Sequence, residues 1–393
     1  MRAAEPRLRI LLVVPSFPPD VHGGAERQAA LLAEALGRLG CQVRLLAPTV
    51  TGAEGVEATA YGSLERLRLS ALPASGGRHL GATLAWTART ARRIVARRAE
   101  LDLAYVFHHR LHVAGPLLGG ALANLPVFVK PGGGGEASEF AALRRKKYLY
   151  GRFVARRVVR DTAGFIANST TIAEDLRREG VGGERIYRIP NGVAPVPSAA
   201  FAAARPGRDG TRLVYAGRLV PDKGVERLIE AAALLPRDRP WTLTILGDGP
   251  ERRPLAALAA ERGLAGRVAL PGHTGDAPAE LLRHDIFVSP SLREGQSNAL
   301  LEALAAGLIP VCAPASGVEE LVDPDLGVVT RDATPERLSA GLAAMLGLAA
   351  PERLRRSAAL HAWANQQFAI DAVARATRAA FVEVLQRRGR PAS

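Results

Sequence analysis

The chain is short of cysteine, of aromatic side chains and of long uninterrupted apolar runs. Its 393 residues include two cysteines, Cys41 and Cys312. Each sits beside a strand-like apolar run, with no metal-ligand spacing and no disulfide framework, so a reducing compartment is expected. Aromatic residues make up 5%, too little for the stacking platforms that hold single-stranded nucleic acid. Zinc-finger spacing is absent as well, so nucleic acid is not an expected partner. The first apolar stretch, Leu8-Arg-Ile-Leu-Leu-Val-Val-Pro15, is too short to span a bilayer and lacks a small-residue cleavage pattern. No other stretch reaches spanning length without charges, and no repeat of solenoid period is visible. A cytoplasmic protein is the expectation.

What is present is a chain too long for one typical domain. Hydrophobic residues make up 48%, enough for sizeable cores, and 40 glycines with 27 prolines punctuate well-spaced apolar segments. The net charge of +14 implies an anionic partner: anionic lipid or a phosphorylated ligand, with nucleic acid already set aside.

Apolar runs and 3.6-residue periodicity alternate along the first half. Residues 9–14, 42–47, 101–107, 126–130, 165–169 and 185–189 read as strands; 24–39 and 171–179 read as helices. Residues 196–210 read as a linker, and a second alternation follows, with strands at 212–217, 241–246, 268–270, 285–289, 307–312 and 327–330. Helices are expected at 224–235, 255–262 and 335–348, and residues 351–386 read as one nearly continuous helix. Strands alternating with helices predict α/β domains with parallel sheets covered on both faces. The expected division is a first domain over 1–195, the linker 196–210, a second domain over 211–355, and a helical tail over 356–393 packing back on the first. Two doubly wound domains place ligands at the C-terminal ends of their strands.

The most informative stretch is Glu294-Gly-Gln-Ser-Asn-Ala-Leu-Leu-Glu302. Glu294 falls on a loop after the strand ending at Ser289, and Glu302 falls a turn or two into the next helix. Carboxylates at helix starts are often only caps, but the N–H groups there also receive phosphates. Tyr215-Ala-Gly-Arg218-Leu-Val-Pro-Asp-Lys223-Gly224 is more specific, because Arg218 and Lys223 can converge on one diphosphate, as a planar fork and a point charge. Gly247 within Leu246-Gly-Asp-Gly-Pro250 and His273 after Pro271-Gly272 mark further strand exits that can line the site, with Asp248 equally a turn residue. In the first half, Gly23 and Gly24 let a phosphate or sugar approach the backbone, though a Gly pair is more often a plain turn. His108, His109 and His112 cluster after one strand, better placed to line a site than to hold a metal, since adjacent histidines do not face one ion. Lys130 precedes a run of four glycines, read as a mobile close-approach loop. Residues 143–160 are basic and amphipathic, with Leu143, Tyr150, Phe153, Val154 and Val158 on one stripe, and suit an anionic membrane surface as well as an ordinary surface. Arg89, Arg92, Arg93, Arg97 and Arg98 form a second basic helix.

Taken in order, Gly23-Gly-Ala-Glu26, Ala167-Asn-Ser169, Ile189-Pro-Asn-Gly-Val193, Gly217-Arg218 through Lys223-Gly224, Gly247-Asp-Gly-Pro250 and Glu294 through Glu302 are specific together. Over nearly its whole length the chain resembles the retaining glycosyltransferase family 4. The resemblance implies the GT-B fold: two Rossmann-like doubly wound domains facing across a cleft, with C-terminal helices crossing back to the first. It implies a UDP- or GDP-sugar as donor substrate, no bound metal and no cofactor. Arg218 and Lys223 would neutralise the departing diphosphate, Glu294 would contact the donor sugar, the backbone of Asn298, Ala299 and Leu300 would lie near it, and Glu302 would bind the ribose. Gly23, Gly24, Gly217, Gly247 and His273 would complete the donor site. The acceptor hydroxyl would attack from the face the leaving group departs.

One departure matters. Many relatives carry a histidine after the strand at 126–130, where this chain has Lys130, leaving Lys130 and His109 as candidates for that sugar or acceptor contact. The loop Gly317-Val-Glu-Glu320 lacks the commoner paired glycines. The expected function is glycosyl transfer to a saccharide or lipid-linked acceptor in cell-surface polysaccharide or glycolipid synthesis, on the inner face of the membrane if residues 143–160 dock there. Alternatives are glycosylation of a soluble small molecule and a non-catalytic nucleotide-sugar or membrane-binding relative. A nucleotide-sugar epimerase would need an acid–base set that the sequence does not display.

Overall fold

The computed structural model describes residues 7–21, 23–73, 79–135, 138–144, 150–204, 210–292 and 295–389. They divide into two compact units, one of Met1–Gly192 with Ile370–Ser393 and one of Val193–Ala369.

Unit 1 is built on β1 (Arg9–Val13), β2 (Gln42–Thr49), β3 (Gly55–Thr59), β4 (Gly62–Arg68), β5 (Leu103–Phe107), β6 (Val127–Lys130), β7 (Gly164–Ala167) and β8 (Ile186–Arg188). Their order is β3-β4-β2-β1-β5-β6-β7-β8, all parallel except the β3–β4 hairpin. The helices are α1 (Gly24–Arg38), α2 (Leu80–Ala96), α3 (Ala114–Leu122), α4 (Glu139–Arg144), α5 (Tyr150–Asp161) and α6 (Thr170–Arg178).

The period of two along β1 shows why this sheet is covered on both faces. Ile10 and Leu12 pack with Ala29, Leu32 and Leu36 of α1, whereas Leu11 and Val13 pack with Trp86 and Ile94 of α2. Every one of these side chains is 4% exposed or less, which makes the strand a continuous apolar run with no polar face. The strand expected over 42–47 runs on to Thr49, and Pro48 is accommodated inside β2 because β1 pairs only as far as Leu46 and the missing N–H falls beyond it. The β3–β4 hairpin was not anticipated, since β3 is exposed along its length and carries no apolar pattern.

Unit 2 contains α7 (Ser198–Ala203), β9 (Thr211–Ala216), α8 (Val225–Ala233), β10 (Trp241–Leu246), α9 (Arg252–Glu261), β11 (Val268–Gly272), α10 (Ala277–Leu281), β12 (Ile286–Ser289), α11 (Asn298–Ala305), β13 (Ile309–Cys312), β14 (Val328–Val329), α12 (Pro335–Leu346) and α13 (Ala350–Gln367). Its parallel sheet runs β11-β10-β9-β12-β13-β14 around one core.

The boundaries differ from those the composition suggested. Part of the expected linker is a helix, α7, whose Phe201 is buried and stacks on His361 of α13 at 4.3 Å. The helical tail is broken at Phe368–Ala369, where Val193 N donates to Phe368 O at 2.8 Å. Its first part, α13, therefore belongs to unit 2, held by Ser357 Oγ donating to Gly307 O and His361 Nδ1 at 2.7 Å from Ala305 O. Only α14 (Ile370–Arg387) returns to unit 1, where Ile370, Val373, Ala374 and Phe381 join the α1 side of the core and Arg38 pairs with Asp371 at 2.7 Å.

Candidate functional site

In unit 2 the strand order reverses between β9 and β12, so the loops after these two strands flank a switch point where ligands of open α/β sheets bind. The loop after β9 carries Gly217 and Arg218, then a 3-10 turn over Pro221–Lys223 and Gly224. Gly224 has φ 63°, and a Cβ there would lie 3.2 Å from Pro290 O, which seats this loop against the one after β12. The Arg218 side chain is exposed and makes no ion pair or hydrogen bond among the described residues, while Lys223 is half-buried.

The glycines have local reasons. Gly217 N donates to Leu246 O at 3.0 Å, Leu219 N to Asp248 O at 2.9 Å, and Gly247 N to Gly272 O at 2.9 Å. Gly247, at φ 133°, would put a Cβ 1.9 Å from Gly217 O. The exits of β9, β10 and β11 are thus laced backbone to backbone, and Gly247 is required by that contact before any ligand is considered. His273 is exposed at the far end of this row, immediately after the edge strand β11. A cavity of about 540 Å³ lies beside the β10 exit, lined by Asp248, Gly249, Pro250, Arg252, Arg253, Ala256 and Leu270.

Across the switch point, Ser297 caps α11 by accepting from Leu300 N at 3.3 Å. Leu300 is fully buried and its N–H is engaged by that cap, whereas Asn298, Ala299 and Glu302 remain half-buried on the first turns. Glu294, the sugar-contacting candidate, lies outside the described residues.

In unit 1, Gly23 caps α1 in extended geometry, and a Cβ on it would come 2.4 Å from Glu26 Oε2. Glu26 is 7% exposed and accepts from Ser16 Oγ, so it occupies the space a side chain at Gly23 would need. Gly24 is exposed beside it. The loop before Gly23 is tied down by Asp20, which accepts from Thr49 Oγ1, Val50 N, Thr51 N and Thr51 Oγ1. Burial pushes the Asp20 carboxyl up, but these bonds together bring it down to about 2.

The loops after β5 and β6 meet on Glu139, which the sequence did not single out. His108 Nδ1 lies 2.8 Å from Glu139 Oε1, while His109 N donates to Oε2 at 2.9 Å and Gly132 N donates to it at 3.1 Å. His109 Nδ1 is 3.0 Å from the same oxygen but too bent for a hydrogen bond, and Arg110 Nε adds charge at 3.3 Å. Burial alone would raise the Glu139 carboxyl, yet the charges and hydrogen bonds of His108 and His109 hold it well below the usual range. His108 adopts φ 65°, and a Cβ on Gly132 would fall 1.8 Å from its Nδ1. The glycine run, expected to be mobile, is pinned at both ends, by Gly132 on Glu139 and by Gly135 N donating to Asp175 Oδ2 at 2.7 Å.

The three histidines do not converge. His109 is 1% exposed and packs on the Phe140 ring at 4.2 Å; its Nε2 is buried without a partner among the described residues. His112 turns inward, with Nε2 2.9 Å from Phe107 O, and burial lowers it to about 4. Among the described residues no group of His, Cys, Asp and Glu could hold a metal ion. Lys130 ends β6 and is 8% exposed; its backbone O accepts from His108 N at 2.7 Å, while its side chain makes no hydrogen bond or ion pair among the described residues. Burial lowers its ammonium to about 7.

The basic helices are less free than their charge suggests. Arg89 and Arg93 of α2 pair with Glu54 and Glu65, and Arg97, which follows the helix as its C-cap, also pairs with Glu65; Arg98 lies in a 3-10 turn beyond it. Among the described residues the apolar stripe of 143–160 faces the core at Leu143, 2% exposed, and Val158, 0% exposed, whereas Phe153 stands out at 63%. Residues 145–149 and the Tyr150 side chain lie outside the described set. Among the described residues no helix is long and apolar enough to cross a membrane.

Comparison with known proteins covers most of the chain. Residues 22–196 match the family Glycosyltransferase Family 4, and residues 200–360 match Glycosyl transferases group 1. The lipopolysaccharide core biosynthesis glycosyltransferase LpsE of Rhizobium meliloti is 35% identical over 151 residues, 38% of this chain and 43% of that protein. The alpha-D-kanosaminyltransferase of Streptomyces kanamyceticus is 31% identical over 207 residues, 48% of this chain and 53% of that protein. The chain thus spans about half the length of the curated relatives it matches. In fold it is similar to Anabaena Alr3699/HepE, solved in complex with UDP and glucose, with a TM-score of 0.73 at 20% identity over 96% of this chain and 100% of that one.

Proposed function

Since the chain belongs to glycosyltransferase family 4 and has the GT-B fold, we propose that it moves a sugar from a nucleotide-diphosphate donor to a hydroxyl of a saccharide or lipid-linked acceptor, with retention of configuration. The observation that carries this reading is Arg218, exposed and without an ion pair among the described residues, close in sequence to Lys223 on the loop after β9 at the β9/β12 switch point. A surface Arg without a counter-ion beside a second cation is suited to a dianionic leaving group. As the sugar–phosphate bond breaks, negative charge grows on the diphosphate and positive charge on the anomeric carbon. Arg218 and Lys223 stabilise the first, so the barrier falls by electrostatics fixed before the reaction starts. Glu294 orients the sugar, Glu302 holds the ribose, and Gly23 and Gly24 admit the phosphates to the backbone. Gly217, Gly247, Asn298, Ala299 and Leu300 shape the walls, and His273 stands at the margin. With these cations in place the reaction proceeds without a metal or cofactor, and an oxygen of the departing phosphate takes the acceptor proton. HepE, solved with UDP and glucose, supports a UDP-sugar as the first donor to try.

LpsE favours a lipopolysaccharide-type acceptor, and exposed Phe153 among Arg152 and Arg156 suits a peripheral contact with an anionic inner membrane face. The kanosaminyltransferase supports the second reading, a soluble small-molecule acceptor. Sedimentation with anionic vesicles at low salt separates them: co-sedimentation lost in Phe153→Ser supports the membrane, and none supports the soluble acceptor. Transfer itself is tested by product formation from a panel of nucleotide sugars, which should vanish in Arg218→Ala.

A further inference from the structure

Three helices of unit 1 cover one face of its sheet and turn apolar side chains and arginines to solvent. α2 buries Trp86 and Ile94, α3 buries Leu117, and α5 buries Ala155 and Val158, all in a single core. Their opposite sides therefore point the same way, outward from the sheet. α3 is seated directly on α2: a Cβ on Gly115 would lie 2.9 Å from Thr87 O, and one on Gly119 2.9 Å from Ala91 Cα. α5 packs on α3 in turn. The outward side of this layer carries Leu84 and Val95 of α2, Leu118 and Leu122 of α3, and Phe153 of α5, with Leu122 the most exposed at 68%. A single exposed leucine is ordinary. Large apolar side chains set out together on neighbouring helices mark a contact surface.

The charges on these helices are of one sign. α3 has no charged residue, and α2 has no Asp or Glu. Glu54 and Glu65, which reach α2 from the strands beside it, are taken by Arg89, Arg93 and Arg97. Asp161 ends α5 and is taken by Arg157 and Arg160. Arg92, Arg152 and Arg156 are exposed on the same helices and make no ion pair among the described residues.

This combination chooses the occupant. A second copy laid face to face would set arginine against arginine. An anionic bilayer suits both kinds of side chain: the apolar ones enter between the headgroups, and the arginines stay at the level of the phosphates.

We propose that the outer face of α2, α3 and α5 beds on an anionic bilayer, with α3 as the part that enters deepest. This builds on the peripheral contact read from Phe153 and widens it from one side chain to a face; it does not need the glycosyl-transfer reading. An uncharged helix loses no side-chain charge hydration on entering the headgroup region, whereas α5 must keep Arg152 and Arg156 on water or phosphate. The contact is broad and shallow, about 5–10 Å deep, as for a helix lying in the interface and not spanning it.

The test is flotation of the whole chain, at low salt, with vesicles of phosphatidylcholine alone or mixed in equal parts with phosphatidylglycerol. The expected result is binding to the anionic vesicles, weakened roughly tenfold or more in Leu118→Ser/Leu122→Ser at an unchanged melting temperature, since both leucines are exposed. A second readout reports depth. The fluorescence of Leu122→Trp should shift to the blue on the vesicles and be quenched by acyl chains brominated near the headgroup. The wild type, with Trp86 and Trp241 buried, should change little.

No binding to anionic vesicles, undiminished binding in Leu118→Ser/Leu122→Ser, or a Leu122→Trp signal that the vesicles leave unchanged overturns the proposal. A dimer without vesicle binding, dissolved by the double substitution in sedimentation velocity, overturns it as well and makes the face an interface between copies. Binding lost in Phe153→Ser but kept in Leu118→Ser/Leu122→Ser overturns the role of α3 and leaves the Phe153 contact standing. Vesicle binding as expected, with no transfer from any nucleotide sugar, fails the transferase reading and leaves this one standing.

Discussion

The α-carbon of Gly247 lies so close beneath the carbonyl oxygen of Gly217 that a Cβ would approach it to 1.9 Å. Through this contact the exit of β10 supports the exit of β9, the segment on which Arg218 stands. The Gly-rich exits therefore build the proposed diphosphate clamp from below, whether or not they touch a ligand.

Gly247→Ala must push the two backbones apart while holding φ 133°, a region that side chains rarely adopt. The expected cost is about 1–3 kcal/mol, read as a lower urea midpoint with weaker nucleotide binding. An unchanged midpoint would mean that the exits can separate without consequence.

Replacing the Glu139 carboxylate by an amide removes its charge and one of the two acceptor oxygens that serve His108, the buried His109 N–H and the exposed Gly132 N–H, and takes a counter-ion from Arg110. Glu139→Gln should lose about 3–5 kcal/mol at pH 7. The carboxyl is held below its ordinary 4.5 in the folded state, so its contribution is complete above that pH and is lost as pH falls toward the folded value. The gap between wild type and variant, measured by urea unfolding, should narrow below pH 4.5; a gap constant from pH 7 to pH 4 would contradict the ionic account.

Glu294→Gln keeps the size and one acceptor of the side chain but removes its charge. Nucleotide affinity should persist while transfer falls by roughly 10²-fold. Loss of nucleotide binding with unchanged turnover per bound donor would assign Glu294 to the nucleotide and not to the sugar.

The parallel sheets were legible because buried strands read as apolar runs, and β1 or β12 could hardly read otherwise. The β3–β4 hairpin escaped because both faces of β3 are exposed, and the break before α14 escaped because Phe368-Ala369 interrupts no apolar period. Arg218 and Lys223 were visible as cations spaced around a strand exit. Glu139 was not, because its partners lie on two other loops and only the fold brings them together. The amphipathic stripe of residues 143–160 was visible as a pattern, but a pattern does not say which surface covers it, and the core covers most of this one.

The most direct test of the nucleotide-sugar account is calorimetric binding of nucleotide diphosphates and nucleotide sugars to the whole chain, with Arg218→Ala alongside. Arg218 is exposed and unpaired among the described residues, so the substitution should leave thermal stability unchanged. The account predicts that one base binds and that its diphosphate loses about 1.5–3 kcal/mol of affinity in the variant. Equal affinity of wild type and Arg218→Ala for a bound nucleotide, at equal stability, would contradict it.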